Sequence, residues 1–108
     1  MTLVNIDKVN DVIVVSASGH AGYSSENDIV CAAISTVTQC FLQTIEYYES
    51  QYDCSILSKK INESAGCCLF SFKCYNTKVI DTVVKMAIIG YKMIQASYGD
   101  YISVNVNI

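Results

Sequence analysis

His20 and Cys31 are the residues of this sequence best suited to covalent chemistry. An imidazole accepts a proton near neutral pH and a thiolate attacks carbonyl carbon, so a histidine brought to a cysteine can open a peptide bond and then protonate the leaving amine. His20 is the only histidine in 108 residues and lies just upstream of one of six cysteines, within GHAGYSSENDIVCAAIS, residues 19 to 35. Ser25, Asn27 and Asp28 are all types that favour helix N-caps, and Ser25-x-x-Asp28 resembles a capping box, which places Cys31 in or near a first helical turn. Sulfur there faces unsatisfied N–H groups and the positive end of the helix dipole, which favour its ionised, nucleophilic form. N–H groups of that turn, Cys31's own included, are also the expected donors to an oxyanion.

The neighbours of the pair have two readings each. Sequence distance does not fix Cys-His geometry, so a histidine that merely ends a strand stands level with a catalytic one. Asp28 is able to orient His20 as the third member of a triad, or to cap the helix, with capping its main task. Ser35 follows Cys31 by one helical turn on the same face; it reaches the thiol or a substrate, or bonds back to its own backbone. Ala21, Gly22, Tyr23, Ser24, Ser25, Glu26 and Asn27 form the loop between the pair and are expected to gate substrate entry.

The other cysteines read differently. Cys40 lies on another side of the same helix, while Cys54, Cys67, Cys68 and Cys74 fall in strand patterns where cysteine serves as a small hydrophobe. With no CxxC pair and a single histidine the sequence lacks zinc-ligand spacing, and neither a metal nor a cofactor is expected. Cys67 and Cys68, adjacent on one strand, point to opposite faces, so a redox bridge between them would be strained.

The elements that must position the pair follow from hydrophobic period. TLVNIDKV and VIVVSASG read as a hairpin across Asn10-Asp11, residues that tolerate positive φ. Val12, Ile13, Val14 and Val15 are apolar at both pleat positions, as in a central strand covered on each side. Helices are expected from about Asp28 to Ser50 and from about Lys78 to Tyr98, the second closed by Gly99 at a C′ position. In the second, Ile80, Val83, Val84, Ala87, Ile88, Tyr91 and Ile94 make an apolar stripe, widened by Val79, Met86 and Met93; Lys78, Lys85 and Lys92 mark the wet side. CSILSKKI and GCCLFSFKCY, linked through NESAG, form a second hairpin, with Cys68, Phe70, Phe72 and Cys74 facing the core and Lys59 and Lys60 suiting an edge. YISVNVNI is the last strand, with Ile102, Val104, Val106 and Ile108 on one side. The expected architecture is α+β: one domain over residues 1–108, order ββαββαβ, a mixed, mostly antiparallel five-stranded sheet carrying two long helices.

Composition narrows the function classes. Hydrophobic residues make up 52% and charged residues 16%, so a core is affordable without staples and no long disordered region is expected. All seven basic residues are lysines and the net charge is −3, which argues against direct nucleic-acid binding. The N-terminus lacks signal-peptide character and no apolar run approaches a bilayer span, so a cytoplasmic protein with reduced thiols and no membrane contact is expected.

Gly19-His20-Ala21-Gly22-Tyr23, Asp28-Ile29-Val30-Cys31-Ala32-Ala33 and Ser35 together resemble the signature of the ribosomal-processing cysteine proteases, the Prp family. The ββαββαβ order, over nearly the whole chain, is similar too. The resemblance implies that His20 and Cys31 are the catalytic dyad and that Gly19, Asp28 and Ser35 support it. It further implies a homodimer whose peptide substrate is the N-terminal extension of large-subunit ribosomal protein L-twenty-seven, cut after a pair of aromatic residues. A basic extension would suit this acidic chain. The His-Cys loop is one residue shorter than is usual in the family and has no glycine after Gly22, and Asn27 is expected to supply the permissive backbone instead. The competing reading is a non-enzymatic dimeric module for ribosome assembly or another interaction.

Overall fold

Alternation of apolar and polar residues builds the sheet, and the helices cover the side on which the apolar residues fall. The computed structural model describes residues 1–64 and 66–108. Its elements are β1 (Thr2–Val9), β2 (Val12–Ser18), α1 (Ile29–Ser50), β3 (Cys54–Asn62), β4 (Cys67–Cys74), α2 (Thr77–Tyr98) and β5 (Ile102–Asn107), in the expected order. The strands form one sheet in the order β3-β4-β2-β1-β5. Neighbours are antiparallel except β1 and β5, which run parallel with Thr2 opposite Ile102 and Asp7 opposite Asn107. The first hairpin turns at Asn10, which takes φ 58.

The core lies between this sheet and the two helices. Val4 and Ile6 of β1, Ile13 and Val15 of β2, Phe70 and Phe72 of β4 and Ile102 of β5 are buried with Val30, Ile34, Phe41, Leu42 and Ile45 of α1 and Ile80, Val84, Ile88 and Tyr91 of α2. The Phe41 ring meets Phe70 and Phe72 edge-on at 5.3 and 6.1 Å. Full burial of a side chain of this size stabilises by about 1.5–3 kcal/mol. One polar bond crosses the helix pair: the Thr38 and Tyr91 hydroxyls lie 2.7 Å apart, both residues buried.

Four expectations change. Only Ile13 and Val15 of the VIVV run are fully buried; Val12 and Val14 are half-buried on the opposite face, whose cross-strand neighbours include Lys73, Ser71 and Asp7. Both helices therefore share one side and the other is a solvated surface, so four apolar residues in a row overstated the cover. Met86 and Met93 are 75% and 68% exposed and fall outside the buried stripe. Gly99 takes φ −59 and ψ −18, a right-handed conformation; a side chain there would come within 3.1 Å of the Gln95 carbonyl oxygen, so close approach favours glycine. Finally, α1 does have the length and mean hydropathy, 1.3, of a bilayer span, because serines, threonines and glutamines dilute it without adding charge; here its apolar stripe packs in the core.

Candidate active site

The end of β2 and the start of α1 converge because the chain breaks sharply after Ser18. Gly19 takes φ 87, and a Cβ there would lie 2.9 Å from the Met1 carbonyl oxygen, so neither the conformation nor the space admits a side chain. Thr2, buried at the start of β1, donates its hydroxyl to the Gly19 carbonyl at 2.9 Å. The peptide carrying His20 is thereby fixed to the sheet, while the imidazole stands exposed.

Asp28 is the N-cap of α1, with Cys31 at the third helical position. One carboxylate oxygen accepts from the Cys31 N–H at 2.9 Å and the other from the Tyr23 N–H at 3.0 Å. Burial raises the Asp28 pKa, but the Cys31 and Tyr23 N–H groups, with the Cys31 side chain and the Ser24 N–H, outweigh it and hold the carboxyl below its ordinary 3.8. These contacts are those of a cap; among the described residues the carboxylate makes no bond to the imidazole. The Cys31 N–H is thus committed to Asp28, which removes it from the oxyanion donors expected of the first turn. A different donor stands at the sulfur: the Ala21 N–H points at Cys31 Sγ, 3.1 Å away.

His20 and Cys31 line one cleft of about 430 Å³, together with Gly19, Ser35 and residues from β3, β4 and α1. In this conformation the imidazole is not hydrogen-bonded to Cys31; its Nε2 lies 3.2 Å from the Ser64 carbonyl oxygen. Ser35 presents to the cleft, and its hydroxyl makes none of the back-bonds to the helix that Thr36, Thr38 and Thr44 make. Asp28 sits behind Cys31, outside the cleft walls.

The Ala21–Asn27 segment also lies outside those walls. Ala21 is 2% exposed and belongs to the core, while Gly22 takes φ 76 with open space around its α-carbon. Tyr23 packs edge-on against Tyr98 and Tyr101 at 5.6 and 5.2 Å, and Ser24 Oγ accepts from the Glu26 and Asn27 N–H groups. Positive φ falls at Gly22 and not at Asn27, so the permissive position is the glycine already in the GHAGY stretch.

The remaining thiols separate by exposure. Cys54, Cys68 and Cys74 are buried, Cys40 and Cys67 exposed, and none is in a disulfide. Burial, with Cys74, Glu49 and Asp53 nearby, pushes the Cys54 thiol up to about 11; burial raises Cys68 and Cys74 as well. Such thiols are poor nucleophiles at neutral pH. Among the described residues no three His, Cys, Asp or Glu side chains stand together to hold a metal ion.

Several site residues escape the sequence. Thr2, Gly66 and Cys67 line the cleft, as does Glu63. Gly66 in NESAG was legible as a turn residue, but nothing in the sequence places that turn beside His20.

No curated protein sequence matches the chain. The essential ribosomal processing protease Prp from S. aureus, solved in complex with a covalently linked product peptide, has a TM-score of 0.75 at 20% identity over 99% of this chain and 100% of its own. The same protease in complex with a substrate peptide gives 0.72 at 19% identity, over 99% of this chain and 100% of that one. SMU.848 from Streptococcus mutans gives 0.73 at 21% identity, over 99% of this chain and 94% of its own. These likenesses show a shared fold across nearly the full length. The profile of the family described as Cysteine protease Prp matches residues 1–103, and the chain belongs to that family.

Proposed function

We propose that this protein is a cysteine endopeptidase that removes the N-terminal extension of large-subunit ribosomal protein L-twenty-seven before ribosome assembly, acting in the cytoplasm as a homodimer. The observation that carries the reading is the convergence of His20 and Cys31 on one cleft, with a backbone N–H aimed at the sulfur. Imidazole takes the thiol proton, Sγ adds to the scissile carbonyl, and the oxyanion is received beside the sulfur by the Ala21 N–H, the donor nearest the new C–S bond. Imidazolium then protonates the departing amine, and water releases the acyl group from sulfur. Asp28 supports the dyad by holding the backbone of Cys31 and Tyr23, and Ser35 offers a hydroxyl to the bound peptide. Gly19 keeps the strand end open enough for His20 to reach the cleft, and the loop from Ala21 to Asn27 gates it.

Substrate and assembly rest on further support. The structural neighbour from S. aureus is described as a ribosomal processing protease and was solved with a substrate peptide. Met86, Ile89 and Met93 give α2 an exposed apolar strip, 75%, 50% and 68% accessible, that a second subunit would cover. Absence of disulfides among six cysteines suits a reducing compartment.

The test is incubation of the purified protein with the ribosomal protein bearing its extension, followed by mass spectrometry. Cleavage after the paired aromatics is expected from the wild type, with loss of several orders of magnitude in Cys31→Ala and His20→Ala. Cleavage by Cys31→Ala at the wild-type rate refutes the reading. Light scattering of the same sample reports the dimer.

A further inference from the structure

The turn between β3 and β4 makes two contacts with the His20 ring that neither the dyad nor the helix cap explains. Nε2 lies 3.2 Å from the carbonyl oxygen of Ser64. A carbonyl oxygen only accepts, so this contact is a hydrogen bond only if Nε2 carries the proton. Two bonds hold the residues on either side: the Gly66 N–H donates to the Glu63 carbonyl at 3.0 Å, and Ser64 Oγ donates to Asn62 Oδ1 at 2.9 Å. The second contact is steric. Gly66 takes φ 65, and a Cβ built there would lie 3.0 Å from Cε1 and 3.1 Å from Nδ1 of His20, with the Gly19 carbonyl carbon at 3.2 Å. The ring occupies the space a side chain at position 66 would need.

Building on the peptidase reading, we propose that the β3–β4 turn selects the nitrogen of His20 that serves as the base. The Ser64 carbonyl holds the Nε2–H tautomer, Gly66 leaves room for the ring, and Nδ1 takes the Cys31 proton. In the step itself the S–H bond breaks with its electron pair left on sulfur, an N–H bond forms at Nδ1, and the Nε2–H stays on Ser64. The carbonyl faces an imidazolium once the proton has moved, and so stabilises the charge that develops there. Ser64 and Gly66 are positioning residues: both act through the histidine ring, Ser64 by its carbonyl and Gly66 by the space it leaves. Glu63 and Gly66 line the same cleft as Cys31, so the turn that orients the base is also a wall of the substrate channel.

The single histidine makes the test unambiguous, since its two ring nitrogens give the only imidazole signals in a long-range proton–nitrogen NMR spectrum. At a pH where the ring is neutral, the wild type is expected to show the Nε2–H tautomer alone. Gly66→Ala is expected to relax toward the mixture of a free imidazole and to lose roughly a hundredfold in kcat, because a misplaced base slows the chemical step. Gly22→Ala imposes a comparable backbone penalty, at φ 76 with nothing within 4 Å, and is expected to retain the wild-type imidazole spectrum. An Nδ1–H tautomer in an active wild type overturns the assignment while leaving the peptidase standing, and this measurement does not depend on any variant folding. A Gly66→Ala protein with wild-type spectrum and wild-type kcat overturns it equally. A wild type that cuts no peptide counts against the peptidase reading instead.

Discussion

Replacing Asp28 separates a structural role from a chemical one. Its carboxylate satisfies the Cys31 N–H at 2.9 Å and the Tyr23 N–H at 3.0 Å, so Asp28→Ala removes an N-cap and a strut of the preceding loop together. Loss of an N-cap costs about 1 kcal/mol, and the further bond from Tyr23, solvent-exposed and so taken at about 1 kcal/mol, brings the total to ~2 kcal/mol. With a urea slope of ~1.5 kcal/mol/M, the unfolding midpoint should fall by about 1.3 M, read by circular dichroism. Asp28→Asn keeps a neutral acceptor and should lose about half as much. The pH dependence has a definite sign. A carboxyl held below 3.8 in the folded state contributes its full stabilisation above the unfolded value and loses it as pH falls through the depressed folded value. The gap between wild type and Asp28→Ala should therefore close in acid, below pH 3.8. An Asp28→Ala protein with an unchanged midpoint but no peptidase activity would show that the carboxylate works on His20 and that the cap assignment is wrong.

Further outcomes follow from burial. Iodoacetamide at pH 8 should modify Cys31, Cys40 and Cys67 well before Cys54, Cys68 and Cys74, as followed by peptide mass mapping; early labelling of Cys54, whose thiol is pushed up to about 11, contradicts the core assignment. Tyr91→Phe leaves Thr38 still donating to the Ile34 carbonyl and should cost about 1 kcal/mol. Thr38→Val leaves the Tyr91 hydroxyl, in a site where burial raises the phenol to about 12, without its partner and should cost more, ~1–3 kcal/mol by urea unfolding. The reverse ranking would mean that the hydroxyl pair is not what links the helices.

The sequence disclosed what depends on period and on short-range chemistry. Alternation in Cys68, Phe70, Phe72 and Cys74 marks the core face of β4 because each pleat reverses the side chain, and all four are buried. The α1 start was readable since Ser25, Asn27 and Asp28 are all capping types, yet only coordinates single out Asp28. What stayed hidden depends on partners far along the chain. Whether VIVV is covered on both sides turns on where two helices dock, and the run itself carries no such information. Similarly, nothing near His20 announces that Thr2 holds the preceding carbonyl or that Ser64 meets its ring. Asp28 does take the capping role that the sequence favoured, and the N–H it occupies is the one also expected to meet an oxyanion.

The parallel pairing of β1 with β5 ties the opening residues to the closing ones: Asn107 reaches Asp7, one hundred positions back, with a 2.9 Å bond. Every rung of that ladder closes a loop of about one hundred residues, and closures of that length carry a high entropic cost. Tyr101, against which Tyr23 leans, arrives only with that strand. A polypeptide without β5 would leave β1 with a bare margin and Tyr23 without one of its backing rings, so the segment leading into α1 belongs among the last parts of the molecule to become rigid.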